Sequence, residues 1–370
     1  MRKISIALAV LIFATAVACE GEIFFAPPPP PPPQAPVTEA PLTEVPILGE
    51  SILQDCEVFF TNPAGDTVDN RSPEEGLIEL ISSASQTIDM AVFEFDLVSV
   101  KDALFDAWNR GVEIRVVYDD EYSDKDTDLA ELLSLGIPGI PDERSDLMHN
   151  KFLVVDHRTV WTGSFNLTEN AAHKNNENAM RIESSELAGV YTEEFEKMFG
   201  GDFGPHKSDD GYPTVTACGA DVTAYFSPDG PKAAILPVLK SADEYIHVMA
   251  FSFTDDDMGS VLVAKDQAGL DVGVIFETTG SGTQYSEFGN LIGNADEDCK
   301  DANSATFHHK VMIVDGETVI FGSYNFSVSA EEGNDENMLI VESPAVAQEF
   351  EEEYQRRLLE SESAGLCILE

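Results

Sequence analysis

Hydrophobic positions along this chain fall into short runs separated by amphipathic stretches, in an order that occurs twice. Residues 87–93, largely apolar apart from Thr87 and Asp89, read as a buried strand, and residues 112–118, where Glu113 and Arg115 alternate with apolar residues, read as another. Between them, residues 98–110 carry helical spacing and stop at Gly111. Upstream, Ser72-Pro73-Glu74-Glu75 supplies an N-cap, a first-turn proline and first-turn acids for a helix to about Ser83. Strand, helix, strand in this order predicts a parallel α/β unit. The second occurrence has a helix at about 233–241, a strand at 246–253, a helix to Ala268, then Gly269 and a strand at 270–276. Phe93, Gly111 and Tyr118 recur as Phe251, Gly269 and Phe276, each 158 residues on. These matching positions read as core and cap residues. The expected fold class is α/β, with two similar lobes, each a sheet flanked by helices.

A third apolar run in each half, residues 152–155 and 311–314, is bracketed by polar residues at fixed offsets. The first copy is His149-x-Lys151-x4-Asp156-x6-Gly163-Ser164-x-Asn166, and the second, 159 residues later, is His308-x-Lys310-x4-Asp315-x6-Gly322-Ser323-x-Asn325. Both continue to an acid-amide pair, Glu177-Asn178 and Glu336-Asn337. On a strand, residues two apart share a face, so each histidine is expected beside its lysine, where an imidazole and a cation can meet a phosphate together. Asp156 and Asp315 follow the strand, placed to hydrogen-bond the imidazole of the other lobe and fix its tautomer. Glu177 and Glu336 are the other candidates for that task. Ser164, Asn166, Ser323 and Asn325 are expected to donate to phosphate oxygens.

These paired motifs resemble the phospholipase D superfamily, over both lobes from about Cys56 onward. The resemblance implies lobes packed about a pseudo-two-fold axis with both motifs in one cleft, and a covalent phosphohistidine intermediate. It assigns His149 as nucleophile and His308 as general acid, with the reverse left open by the near-symmetry. Lys151, Lys310 and the two asparagines would bind the phosphate. The scheme implies no metal and no cofactor. Within the family the substrate is a phospholipid or a nucleic acid, and the motif does not separate them. Phospholipid headgroup hydrolysis is the favoured reading; the alternatives are an exported metal-independent endonuclease, a phosphatidyltransferase, and a non-catalytic phosphate-binding surface protein. No obligate protein partner is implied.

The termini and charge refine this picture. Residues 1–18 have the basic start, apolar run and small-residue ending of a secretory signal peptide. Cys19 follows in a context resembling a lipoprotein box, so a lipid tether through Cys19 and plain secretion are both open; either way the protein is expected to be exported. Residues 19–54, with their proline run at 27–33, read as a stiff spacer, ahead of lobes at 55–205 and 206–370. The four remaining cysteines, Cys56, Cys218, Cys299 and Cys367, suit two disulfides in an exported chain, with three pairings open. They contain no CxxC, which argues against zinc. The formal net charge of −47 becomes −49 once Arg2 and Lys3 leave with the signal peptide. A field of that sign opposes tight non-specific binding of polyanions.

Overall fold

The computed structural model describes residues 55–63, 71–123, 127–207, 211, 213–228, 230–293 and 297–369. The expected signal peptide, Cys19 and proline-rich spacer lie outside the described residues. Among the described residues no helix is long and apolar enough to cross a membrane.

The first lobe is a seven-stranded mixed sheet in the order β1-β7-β6-β5-β2-β3-β4. Its strands are β1 (Cys56–Phe60), β2 (Thr87–Val92), β3 (Glu113–Tyr118), β4 (Gly139–Pro141), β5 (Phe152–Val155), β6 (Thr159–Gly163) and β7 (Asn178–Glu183). The second lobe has nine strands in the order β16-β12-β11-β10-β13-β14-β15-β9-β8. These are β8 (Thr214–Ala217), β9 (Ala220–Phe226), β10 (Tyr245–Ala250), β11 (Asp271–Phe276), β12 (Glu297–Lys300), β13 (Lys310–Val314), β14 (Thr318–Gly322), β15 (Asn337–Glu342) and β16 (Cys367–Leu369). The strand-helix-strand units behave as their pattern predicts: β2 pairs parallel to β3, and β10 parallel to β11. Ser72 caps helix Pro73–Ser83 in a reciprocal capping box with Glu75.

Helix Ser185–Phe199 in the first half and helix Pro344–Ser363 in the second supply apolar side chains to one core that is continuous between the lobes. Each sheet has a separate core on its other face, one around Leu77, Phe95 and Trp161 and one around Ile235, Phe253 and Phe288. The lobes also exchange backbone hydrogen bonds in a reciprocal way. The N–H of His149 donates to Asp335, and the N–H of His308 donates to Asn176, both at 2.9 Å. This reciprocity is the pseudo-two-fold relationship in atomic form.

Cys56 is bonded to Cys218, tying β1 to the β8–β9 turn across 162 residues of sequence, and Cys299 is bonded to Cys367, joining β12 to β16. Two disulfides fit an oxidising compartment outside the cytosol.

Candidate active site

β5 and β13 sit centrally in their sheets, and the residues just ahead of them run to the lobe interface. The strands expected to carry both motif residues begin later in each lobe: β5 starts at Phe152, after His149 and Lys151, and β13 at Lys310, after His308. Each lysine is nevertheless beside its histidine, because Lys151 Nζ donates to the carbonyl of His149 and Lys310 Nζ to that of His308, both at 2.7 Å. All four side chains are buried.

Each imidazole is held by a glutamate from the opposite lobe. His149 Nδ1 lies 2.7 Å from Glu336, and His308 Nδ1 lies 2.8 Å from Glu177. Ser323 Oγ donates to the same Glu336 oxygen at 2.8 Å, and Ser164 Oγ to the same Glu177 oxygen at 2.6 Å. A carboxylate fixed this way accepts the Nδ1 proton, which leaves Nε2 as the reactive nitrogen.

This corrects two expectations. Asp156 and Asp315 do not meet an imidazole. Asp156 accepts from the backbone N–H groups of Ser85, Gln86 and Thr87, and Asp315 from those of Asp243, Glu244 and Tyr245. They lie at the far end of their strands from the histidines, in left-handed turns at φ 53°, and fix the entry to β2 and β10. Ser164 and Ser323 are fully buried, and their hydroxyls hold the glutamates instead of facing a phosphate. The preceding glycines are required by close approach. A Cβ on Gly163 would meet the Asn178 carbonyl oxygen at 2.4 Å, and one on Gly322 the Asn337 oxygen at 2.3 Å.

His149 and His308 open into one cleft of about 480 Å³, whose wall also includes Phe93, Phe251, Glu94, Asp96, Asn166 and Asn325. Asn166 donates to Glu94 at 3.0 Å, while its Oδ1, like that of Asn325, is buried without a partner. Phe93 and Phe251, read from sequence as packing residues, are part of the site. Phe93 stands edge-on to His149 at 4.6 Å with Lys151 Nζ 4.8 Å above its ring; Phe251 repeats this with His308 at 4.8 Å and Lys310 at 4.7 Å. Their recurrence at one offset was the available signal, and it was indistinguishable from that of core residues.

Burial sets the electrostatics. It pushes His149 well below its usual value, with the Lys151 and Lys310 charges adding to the effect, and lowers His308 to about 4 against the pull of Glu177. Lys151 falls to about 8 through burial, and Lys310 falls well below its ordinary value for the same reason. Burial raises Glu336 to about 7, opposed by Lys151. For Glu177 burial is outweighed by His308 and Lys310, so it stays below the usual range. Burial thus favours the neutral form of both imidazoles and of both lysines, a balance that a bound anion would shift toward the charged forms.

His309 and Asn150, each between the motif histidine and lysine of its lobe, face away into the interface. There Asn178 Nδ2 meets His309 Nδ1 at 2.9 Å and Asn337 Nδ2 donates to Asn150 at 3.0 Å. His247 pairs with Glu351, and Lys174 donates to Asn170.

A family profile described as cardiolipin synthase, PLD-like domain, matches residues 77–199 and again residues 235–358. The chain belongs to the phospholipase D superfamily. It is 33% identical over 124 residues to a mitochondrial cardiolipin hydrolase of Xenopus tropicalis, covering 33% of this chain and 59% of that protein. It is 33% identical over 137 residues to a phospholipase D of Rickettsia prowazekii, covering 36% of this chain and 62% of that protein. The chain thus spans somewhat more than half the length of these curated relatives. A solved phosphatidylserine synthase of Haemophilus influenzae shares the fold, at 14% identity and a TM-score of 0.62 over 82% of this chain and 86% of that one.

Proposed function

We propose that the protein is a phosphodiesterase that hydrolyses the headgroup phosphodiester of phospholipids, with His149 as nucleophile and His308 as general acid. The observation that carries this reading is the pair of histidines in one cleft, each held through Nδ1 by a buried glutamate of the other lobe. His149 Nε2 attacks phosphorus while His308, held as imidazolium in the substrate complex because the phosphate charge opposes the effect of burial, gives its Nε2 proton to the leaving alcohol. Water, activated by His308 now acting as base, then breaks the phosphorus–nitrogen bond and restores the imidazole. Lys151 and Lys310 hold the phosphoryl oxygens, with Asn166 and Asn325 at the cleft wall. The choice of nucleophile is supported by the electrostatics. Both histidines feel both lysines, but Glu177 comes right after burial among the influences on His308 and last among those on His149, so His308 is the better seat for the proton.

The lipid reading is supported by the lining of the cleft. Phenylalanine, leucine and asparagine side chains form much of its wall, the charged ones besides the histidines are Glu94 and Asp96, and the whole chain is strongly anionic. A polyanion would meet repulsion along that path. The disulfides and the lipoprotein-like Cys19 support an exported, lipid-tethered or secreted enzyme. The test compares the purified mature chain, in EDTA, on phosphatidylcholine vesicles and on single- and double-stranded DNA. Choline release lost in His149→Ala and in His308→Ala is the expected result. DNA cleavage lost in those variants, without choline release, would make the protein a nuclease, and turnover of neither would leave a phosphate-binding protein.

A further inference from the structure

Outside the active site, the ends of β3 and β4 bring three carboxylates together. Asp119, Asp120 and Asp142 each offer an oxygen within 4.8 Å of the others. Asp119 is 2% exposed and Asp142 5%. Asp119 accepts from the N–H groups of Glu121 and Met148, both at 3.1 Å, and Asp142 Oδ1 accepts from the N–H of Asp120 at 3.0 Å. Asp142 Oδ2 is buried with no hydrogen-bond partner, and so is Asp120 Oδ1. An acceptor removed from water and given no donor is costly, more so among like charges. Burial next to Asp119 and Asp120 accordingly pushes Asp142 up to about 7.

The second lobe carries the same scaffold without this problem. Asp142 and Asp301 are equivalent by geometry, since their N–H groups donate to Tyr118 and Phe276, the last residues of β3 and β11. The residues after those strand ends are Asp119-Asp120 in one lobe and Glu277-Thr278 in the other. Asp301 has both oxygens satisfied, by the N–H of Thr278 at 2.6 Å and the N–H of Asn303 at 2.9 Å. In the first lobe the position matching Asn303 is Arg144, and its backbone N–H does not reach Asp142, whose Oδ2 has no donor. A third carboxylate has replaced a threonine where a donor to Asp142 Oδ2 is missing.

We propose that Asp119, Asp120 and Asp142 bind a hard divalent cation of the size of calcium. The donor set is all oxygen, which suits calcium better than zinc or copper, and carbonyl groups or water would complete a flexible shell. The site is separate from the phosphodiester chemistry and does not rest on that reading. It still touches the active site in two ways: Asp119 holds the N–H of Met148, one residue before His149, so the cation braces the segment that delivers the histidine, and the Asp119 charge raises the pKa of Lys151.

The test is a calorimetric titration of the EDTA-stripped and dialysed mature chain with calcium chloride, in about 0.15 M NaCl to screen the acidic surface. One saturable site, a higher melting temperature at saturating calcium, and weaker binding of magnesium are expected. Asp120→Thr, which copies the second lobe, should weaken this site by at least about tenfold, the equivalent of 1.4 kcal/mol. It should also remove most of the thermal shift and leave the metal-free melting temperature close to wild type. Asp142→Asn, which keeps the shape, should do the same if Asp120→Thr fails to fold. Binding without saturation, or equal binding by wild type and folded variants, would show only diffuse attraction to an acidic surface and overturn the proposal.

Discussion

Glu336 reaches across the lobe interface to hold Nδ1 of His149 at 2.7 Å, and Glu177 returns the contact to His308 at 2.8 Å. Neither lobe therefore contains a finished imidazole. The orientation of each reactive ring depends on the packing of the other half of the chain, which explains why the interface is a continuous apolar core fastened by Asn178–His309 and Asn337–Asn150 contacts.

Replacing either glutamate by glutamine should leave the fold intact but free the ring to adopt the wrong tautomer. We expect Glu177→Gln and Glu336→Gln each to lower kcat by about 10²–10⁴-fold, the loss typical of removing a histidine-orienting carboxylate. Steady-state kinetics beside a thermal melt checks this; a variant with unchanged kcat would remove the glutamates from the mechanism.

The pH dependence of kcat/KM should be bell-shaped and narrow. Glu336, raised by burial to about 7, must lose its proton to accept from His149, so activity climbs as pH rises toward that value. Lys151, lowered by burial to about 8, and Lys310, lowered well below its ordinary value by burial, must both keep their protons to bind phosphate, so activity declines on the alkaline side. A profile flat between about pH 5 and 10 would contradict both assignments, since unshifted carboxylates and lysines titrate outside that range.

Asp156→Ala and Asp315→Ala should act on stability and not on chemistry. Each removes a carboxylate that fastens a strand entry through three backbone N–H groups, at a cost of about 1–2 kcal/mol because solvent still reaches it. Burial raises both carboxyl pKa values, but these donors outweigh it and hold them below 3.8. Their stabilisation is therefore present above the unfolded value and fades as pH falls through the lower folded one. Denaturant melts at pH 7 should show the loss, with turnover of the folded variants near wild type; a collapse of kcat alone would return the aspartates to the site.

Phe93→Ala should expose Lys151 and His149 to water on the side the ring now covers. With a cation–π contact worth about 0.5–2 kcal/mol, kcat/KM should drop by about 2–30-fold, and the alkaline limb should move up as Lys151 regains solvation. Phe251→Ala should act in the same sense on Lys310 and His308. An unchanged pH profile would reduce both rings to packing.

The linear order of the residues determined a good deal of this protein. Periodicity located β2, β3, β10 and β11 and the helices between them, because the buried face of each element is recorded in its own residues. The doubled His-x-Lys motif located the site and the family. What the sequence left undecided were the partners. Asp156 and Glu177 are both acids downstream of one motif, and nothing in their spacing says that one fastens a strand end while the other crosses to the opposite lobe. The serines looked like phosphate donors until the structure turned them to the glutamates, and Phe93 looked like core until it lay beside His149. The pairing of Cys56 with Cys218 and the meeting of Asp119 with Asp142 are of the same kind. Such contacts join positions far apart in the chain and depend on how two sheets pack, so they are fixed only when the tertiary structure closes.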